Sequence, residues 1–236
     1  MHRRIVAGGF AAVLAVAFSG LVALGQAPAG QPLGDQQSPI VITGAIPAHI
    51  QPLQIRYPRG LAEFDVYNDG HTIKVAPLRV TYETMYDGKT YKLSEFHFHH
   101  PAEHQVANAP PPAPQMEVHF VNKNADGTAV VFGVFVDAGG QNPAFATVMR
   151  AAPLQPGVHV VVHIDPSELL PADHHYWMYM GSLTTPDYDQ VVRWIVLKHH
   201  VRVDQPSIDK FASIFPNDAR EVQDLNRRFI LEGPAH

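Results

Sequence analysis

The sequence predicts a mostly β domain with a few short helices. Three observations predict it. The chain has 236 residues, 46% of them hydrophobic, enough for one sizeable core. Its 21 prolines and 17 glycines punctuate it too often for long helices. The remainder is a series of short apolar runs separated by turn-forming residues. No internal repeat marks a second domain.

The first segment reads as a targeting signal rather than as fold. "MHRR" is a short basic start, Ile5–Leu24 is an apolar run, and "ALGQAPAG" supplies small residues for cleavage. That three-part layout predicts a secretory signal over residues 1–25 and one domain over residues 26–236, periplasmic or secreted, with no stable membrane insertion after cleavage. The run is also long enough to span as an uncleaved anchor, and that alternative stays open. Met1–Gly25 contains two arginines and no acid, so its removal takes the formal charge from −5 to −7. This balance offers no basic stripe for nucleic acid. The absence of cysteine excludes disulfides, thiolate zinc sites and cysteine nucleophiles.

Strands are expected in His71–Thr84, Tyr91–His99, Met116–Asn122, Thr128–Val136, Gly157–Ile164 and Arg193–Val203. "YDGKT", "NADGT" and "DAGGQNP" supply turns between some of them. "NAPPPAP" at Asn108–Pro114 reads as a stiff loop. Helices are expected in Asn142–Ala152 and Asp204–Phe215, the second with Ser207 as its N-cap.

Chemistry concentrates in Glu95–Val121, which opens "EFHFHHPAEHQV" and closes "EVHFV". Strand side chains alternate faces. Glu95, His97 and His99 therefore share one face, with Phe96 and Phe98 on the other. Glu117, His119 and Val121 repeat the arrangement, with Val118 and Phe120 opposite. Two neighbouring strands so patterned can aim three imidazoles at one point. Three histidines leave the fourth position of a tetrahedral zinc open, which is the catalytic arrangement. Glu95 and Glu117 are placed to accept from the ligands' other ring N–H groups. The competing reading is a polar surface face that binds metals adventitiously. The alternating phenylalanines favour a core beneath a built site.

"FHFHHPAEHQV", "EVHFVN" and "GSLTTP…WIVLK" resemble the α-class carbonic anhydrases, in order, from "QSPI" at Gln37–Ile40 to Phe229. The resemblance implies one domain on a large twisted, mostly antiparallel sheet. It also implies zinc-dependent, reversible hydration of carbon dioxide to bicarbonate and a proton by a zinc-bound hydroxide. His97, His99 and His119 match the zinc ligands, and Glu95 and Glu117 their partners. Thr184 matches the threonine that orients the hydroxide, and Glu103 the glutamate to which it donates. Thr185 lines the same cavity. Val121, Val131, Leu183, Val192 and Trp194 match the apolar wall for carbon dioxide, and His71 the proton shuttle. A homodimer is a possible assembly.

The chain departs from the family pattern away from the ligands. The family's N-terminal Trp/Tyr/Gly-rich segment has no counterpart, and with it goes a tyrosine near the active-site waters. Tyr188 stands in the region of a cysteine that exported bacterial members often carry. Asp187 replaces the second proline after "TTP", and the Pro-rich loop is longer than usual. Two other classes are weighed: a catalytically silent module on the same fold, expected to lose a ligand histidine, and a zinc-binding or buffering protein, which has no need of Thr184, Glu103 or the apolar wall.

Overall fold

The computed structural model describes residues 34–50 and 53–233, so the expected export segment at residues 1–25 lies outside the described residues. Among the described residues no helix is long and apolar enough to cross a membrane.

The apolar runs assemble into one twelve-stranded sheet. Its path runs through β11 (His159–Ile164), β4 (Ala62–Asn68), β5 (Ile73–Pro77), β7 (Lys89–His99), β9 (Met116–Lys123) and β10 (Ala129–Ala138), then β13 (Val192–Val203), β12 (Tyr176–Gly181), β14 (Leu231–Gly233) and β2 (Ile46–Pro47). Two further strands, β3 (Gln54–Arg56) and β6 (Glu83–Tyr86), attach beside β7. Neighbours are antiparallel except β10–β13 and β14–β2. A separate parallel pair, β1 (Val41–Ile42) with β8 (Gln105–Val106), joins the "QSPI" region to the end of the histidine stretch.

The expected His71–Thr84 strand is two strands, β5 and the start of β6. The intervening Leu78–Tyr82 does not pair as strand, and its Leu78 and Val80 are exposed. Pro77 ends β5 because it has no N–H to give to a ladder.

The helices α1 (Pro143–Ala151) and α2 (Gln205–Ile214) pack against this sheet. Asn142 caps α1 by accepting from the Phe145 N–H at 3.0 Å. The cap of α2 is Asp204, not Ser207. A cap side chain reaches an N–H up to three residues on, and here Asp204 Oδ1 accepts from the Ser207 N–H at 3.0 Å. Ser207 is thus the donor, and its hydroxyl returns a bond to Asp204 Oδ2 at 2.9 Å.

Both faces of the central strands are covered, which makes β9 and β10 almost wholly buried. One face carries Phe96, Phe98, Val118, Phe120 and Phe132 into the main core beneath α1 and α2. Each such side chain contributes about 1.5–3 kcal/mol on burial. The other face carries the histidines and a second apolar cluster.

Candidate metal centre

Strand register creates the site. His97 on β7 stands directly opposite His119 on β9, and His99 stands opposite Glu117. His97, His99 and His119 are 8%, 2% and 1% exposed, so this is no solvated polar face. Each offers one ring nitrogen within 4.8 Å of the other two.

The opposite ring nitrogens of two of them face carboxylates. His97 Nδ1 lies 2.9 Å from Glu95 Oε2. His119 Nε2 lies 3.1 Å from Glu117 Oε1, at ion-pair distance but without hydrogen-bond geometry. His97 Nε2 and His119 Nδ1 are therefore the free donors. Both nitrogens of buried His99 lack a hydrogen-bond partner, as does Glu103 Oε2, 3.6 Å from His99 Nε2. An orphaned buried imidazole is costly unless something completes it. Burial holds His99 well below its ordinary pKa, reinforced by the neighbouring imidazoles. Burial likewise brings His119 to about 4. These rings are thus neutral near pH 7 with lone pairs to donate. Three convergent nitrogens fit a divalent metal with at least one position open.

Glu117 anchors this arrangement. Its Oε2 accepts from the backbone N–H of Glu103 at 3.0 Å and of His104 at 2.8 Å, and its Oε1 lies 2.8 Å from His104 Nδ1. Burial pushes its carboxyl up, but His104 and His119 outweigh that and hold it well below the usual carboxylate range. The chain continues from His104 Nε2 to the Tyr179 hydroxyl at 2.7 Å and from there to Ser38 Oγ at 2.9 Å. Sequence reasoning assigns no function to His104 and does not single out Tyr179 or Ser38. Their only signal is the position of His104 beside Glu103 and of Ser38 within "QSPI".

Glu103 is buried, and burial raises its pKa well above the ordinary value. The Arg220 N–H, 2.8 Å from Oε1, and the Thr184 hydroxyl act in the opposite direction. Thr184 thus acts on Glu103 as a donor would, yet Oε2 has no partner in good hydrogen-bond geometry. The two groups are neighbours with the bond unformed. Thr184 and Thr185 share a cleft with His99, His71, Tyr188 and Asp218. His71 is exposed at its edge, its backbone held by Asp69 Oδ1 at 2.8 Å. Asp218 Oδ1 accepts from the His100 N–H at 2.8 Å, and burial pushes this carboxyl to about 7.

The remaining predicted residues form one wall. Val121 pairs with Val131, and Val131 with Trp194. These three and Val192 belong to the second apolar cluster, with Leu183 packed against it. The Trp194 ring lies 4.7 Å from that of His119, so the wall begins at the cluster itself.

The model of the eukaryotic-type carbonic anhydrase family matches residues 26–232. A carbonic anhydrase of Klebsiella pneumoniae is 36% identical over 203 residues, covering 84% of this chain and 80% of that one. One of Pectobacterium atrosepticum is 34% identical over 209 residues, with the same coverages. Among solved structures, the α-carbonic anhydrase of Thermovibrio ammonificans in complex with sulfanilamide superposes with a TM-score of 0.76 at 38% identity, covering 84% of this chain and 87% of that one. That of Photobacterium profundum gives 0.77 at 32% identity, covering 84% and 89%. With this match over nearly the whole described chain, the protein belongs to the α-carbonic anhydrases, enzymes of reversible carbon dioxide hydration.

Proposed function

We propose that His97, His99 and His119 hold one catalytic zinc and that the residues around it hydrate carbon dioxide. The observation that carries this is the trio of buried imidazoles within 4.8 Å, with His99 otherwise unpartnered. Zinc, when bound, supplies the Lewis acidity that lets water act as a nucleophile near neutral pH.

Glu95 and Glu117 hold the ring orientations of His97 and His119. Thr184 has one hydroxyl proton. When that proton goes to Glu103, the Thr184 oxygen is left as an acceptor and fixes the orientation of a nucleophile in the cleft. Carbon dioxide is uncharged and weakly polar, so Val121, Val131, Leu183, Val192 and Trp194 suit it better than a charged clamp. Thr185 lines the same space. Each turnover leaves one proton to export, and the His71 imidazole at the cleft edge is the group to carry it to solvent. The Met1–Gly25 layout supports export and a periplasmic or extracellular place of action.

The test is zinc content together with stopped-flow carbon dioxide hydration for wild type and His119→Ala. One zinc per wild-type chain, and loss of both zinc and activity in the variant, are expected. Stoichiometric zinc with full activity in His119→Ala would sink the assignment.

A further inference from the structure

We propose that Asp173, His175 and His199 form a second metal site, for a divalent transition cation of the zinc type, on the far part of the sheet. Each residue offers one ligand atom, and these lie within 4.8 Å of one another. The framework that brings them together is fixed. The His175 N–H donates to Asp173 Oδ1 at 2.9 Å, a turn that folds the carboxylate back over the imidazole. The Lys198 N–H donates to the His175 carbonyl at 2.8 Å, tying the start of β12 to β13. There β13 bulges: while β10 advances from Val134 to Val136, β13 advances from Leu197 to Val201. Bulges re-aim side chains, and this one spans His199.

Asp173 bridges the two rings. His175 Nδ1 is 2.7 Å from Oδ1, and His199 Nε2 is 3.1 Å from Oδ2. Two imidazoles and one carboxylate suit zinc and its neighbours, and are too poor in oxygen for calcium or magnesium. The side chains of Asp173, His175 and His199 are 43%, 43% and 55% exposed, so an ion can enter and water can complete its shell.

The test is equilibrium dialysis of the zinc-loaded full chain against excess Zn2+, counted by atomic emission. Two zinc equivalents per chain are expected in wild type and one in the His175→Ala/His199→Ala double variant. His199→Gln, the milder change on the exposed strand, should also lose the second equivalent. His163→Ala, at the opposite edge of the sheet, should keep both. Carbon dioxide hydration should be equal in all four, reporting an intact fold and first site. A single equivalent in wild type overturns the proposal. So does a second equivalent that survives in the double variant or disappears in His163→Ala.

Discussion

Gly133 stands on β10 directly opposite His119 on β9. A Cβ added there would lie 2.5 Å from Glu117 Oε1, whereas the next neighbour, Val196 Cγ2 at 3.5 Å, is in ordinary contact. Only the carboxylate must yield. Moving from 2.5 Å to the 3.4 Å edge of ordinary contact takes about 0.9 Å. A shift of that size strains the 2.8 Å bond to His104 and the 3.1 Å approach to His119 together. Gly133 is not in the left-handed region, so alanine can adopt its backbone. Overpacking costs about 1–3 kcal/mol. The lower entropy of the unfolded alanine chain offsets about 0.4–1 kcal/mol of that. Gly133→Ala should therefore lose between about 0 and about 2.6 kcal/mol of stability. As Glu117 no longer orients His119, it should also lose about 10–100-fold in zinc affinity. Chelator competition gives the Kd, and thermal melting of the metal-free protein gives the stability. Wild-type zinc affinity in Gly133→Ala would refute the claim that the fixed position of Glu117 sets the metal site.

Thr184→Ala should keep zinc and lose about 10²–10³ in hydration rate, by analogy with deleted oxyanion-hole donors. Wild-type turnover would reduce Thr184 to a packing residue. His71→Ala should lower kcat, spare kcat/KM for carbon dioxide and be rescued by imidazole buffers; a defect that imidazole does not repair would send the proton by another route. Asp218→Asn bears on pH. A folded pKa of about 7 against an ordinary 3.8 means that the carboxyl's favourable contribution is present below 3.8 and lost as pH rises through 7. The metal-free Asn variant should therefore gain about 2–4 kcal/mol over wild type at pH 8 and little at pH 4. An equal gain at both pH values would mean that the ionised carboxyl is not the cost.

The alternation in "EFHFH" and "EVHFV" is sufficient to place the three histidines on one face, because strand period is a local property. It cannot show that the histidine face is buried. Its cover comes from Ser182–Tyr188 and Phe215–Arg220, far away in sequence and irregular in backbone. The His104–Tyr179–Ser38 chain is illegible for the same reason: its members carry no periodic signal and meet only through the assembled sheet. Caps lie between these extremes. Asp204 and Ser207 are both capping residues, and propensity alone does not decide which accepts. The break of β5 at Pro77 is marked in the sequence, but the apolar Leu78 and Val80 mask it.

Arg220 donates to Gln37 Oε1 and to the Ser38 carbonyl, across separations of 183 and 182 residues, and its N–H reaches Glu103 across 117. Closing loops of that length is entropically costly, and contacts of this kind form late. The three clustered histidines thus leave the ribosome well before the segment that roofs them. Until Phe215–Arg220 emerges, the imidazoles lack that part of their cover. The order of assembly makes ion capture before closure a kinetic hazard, and a chain crossing a membrane unfolded would defer that choice to the compartment in which its last residues arrive.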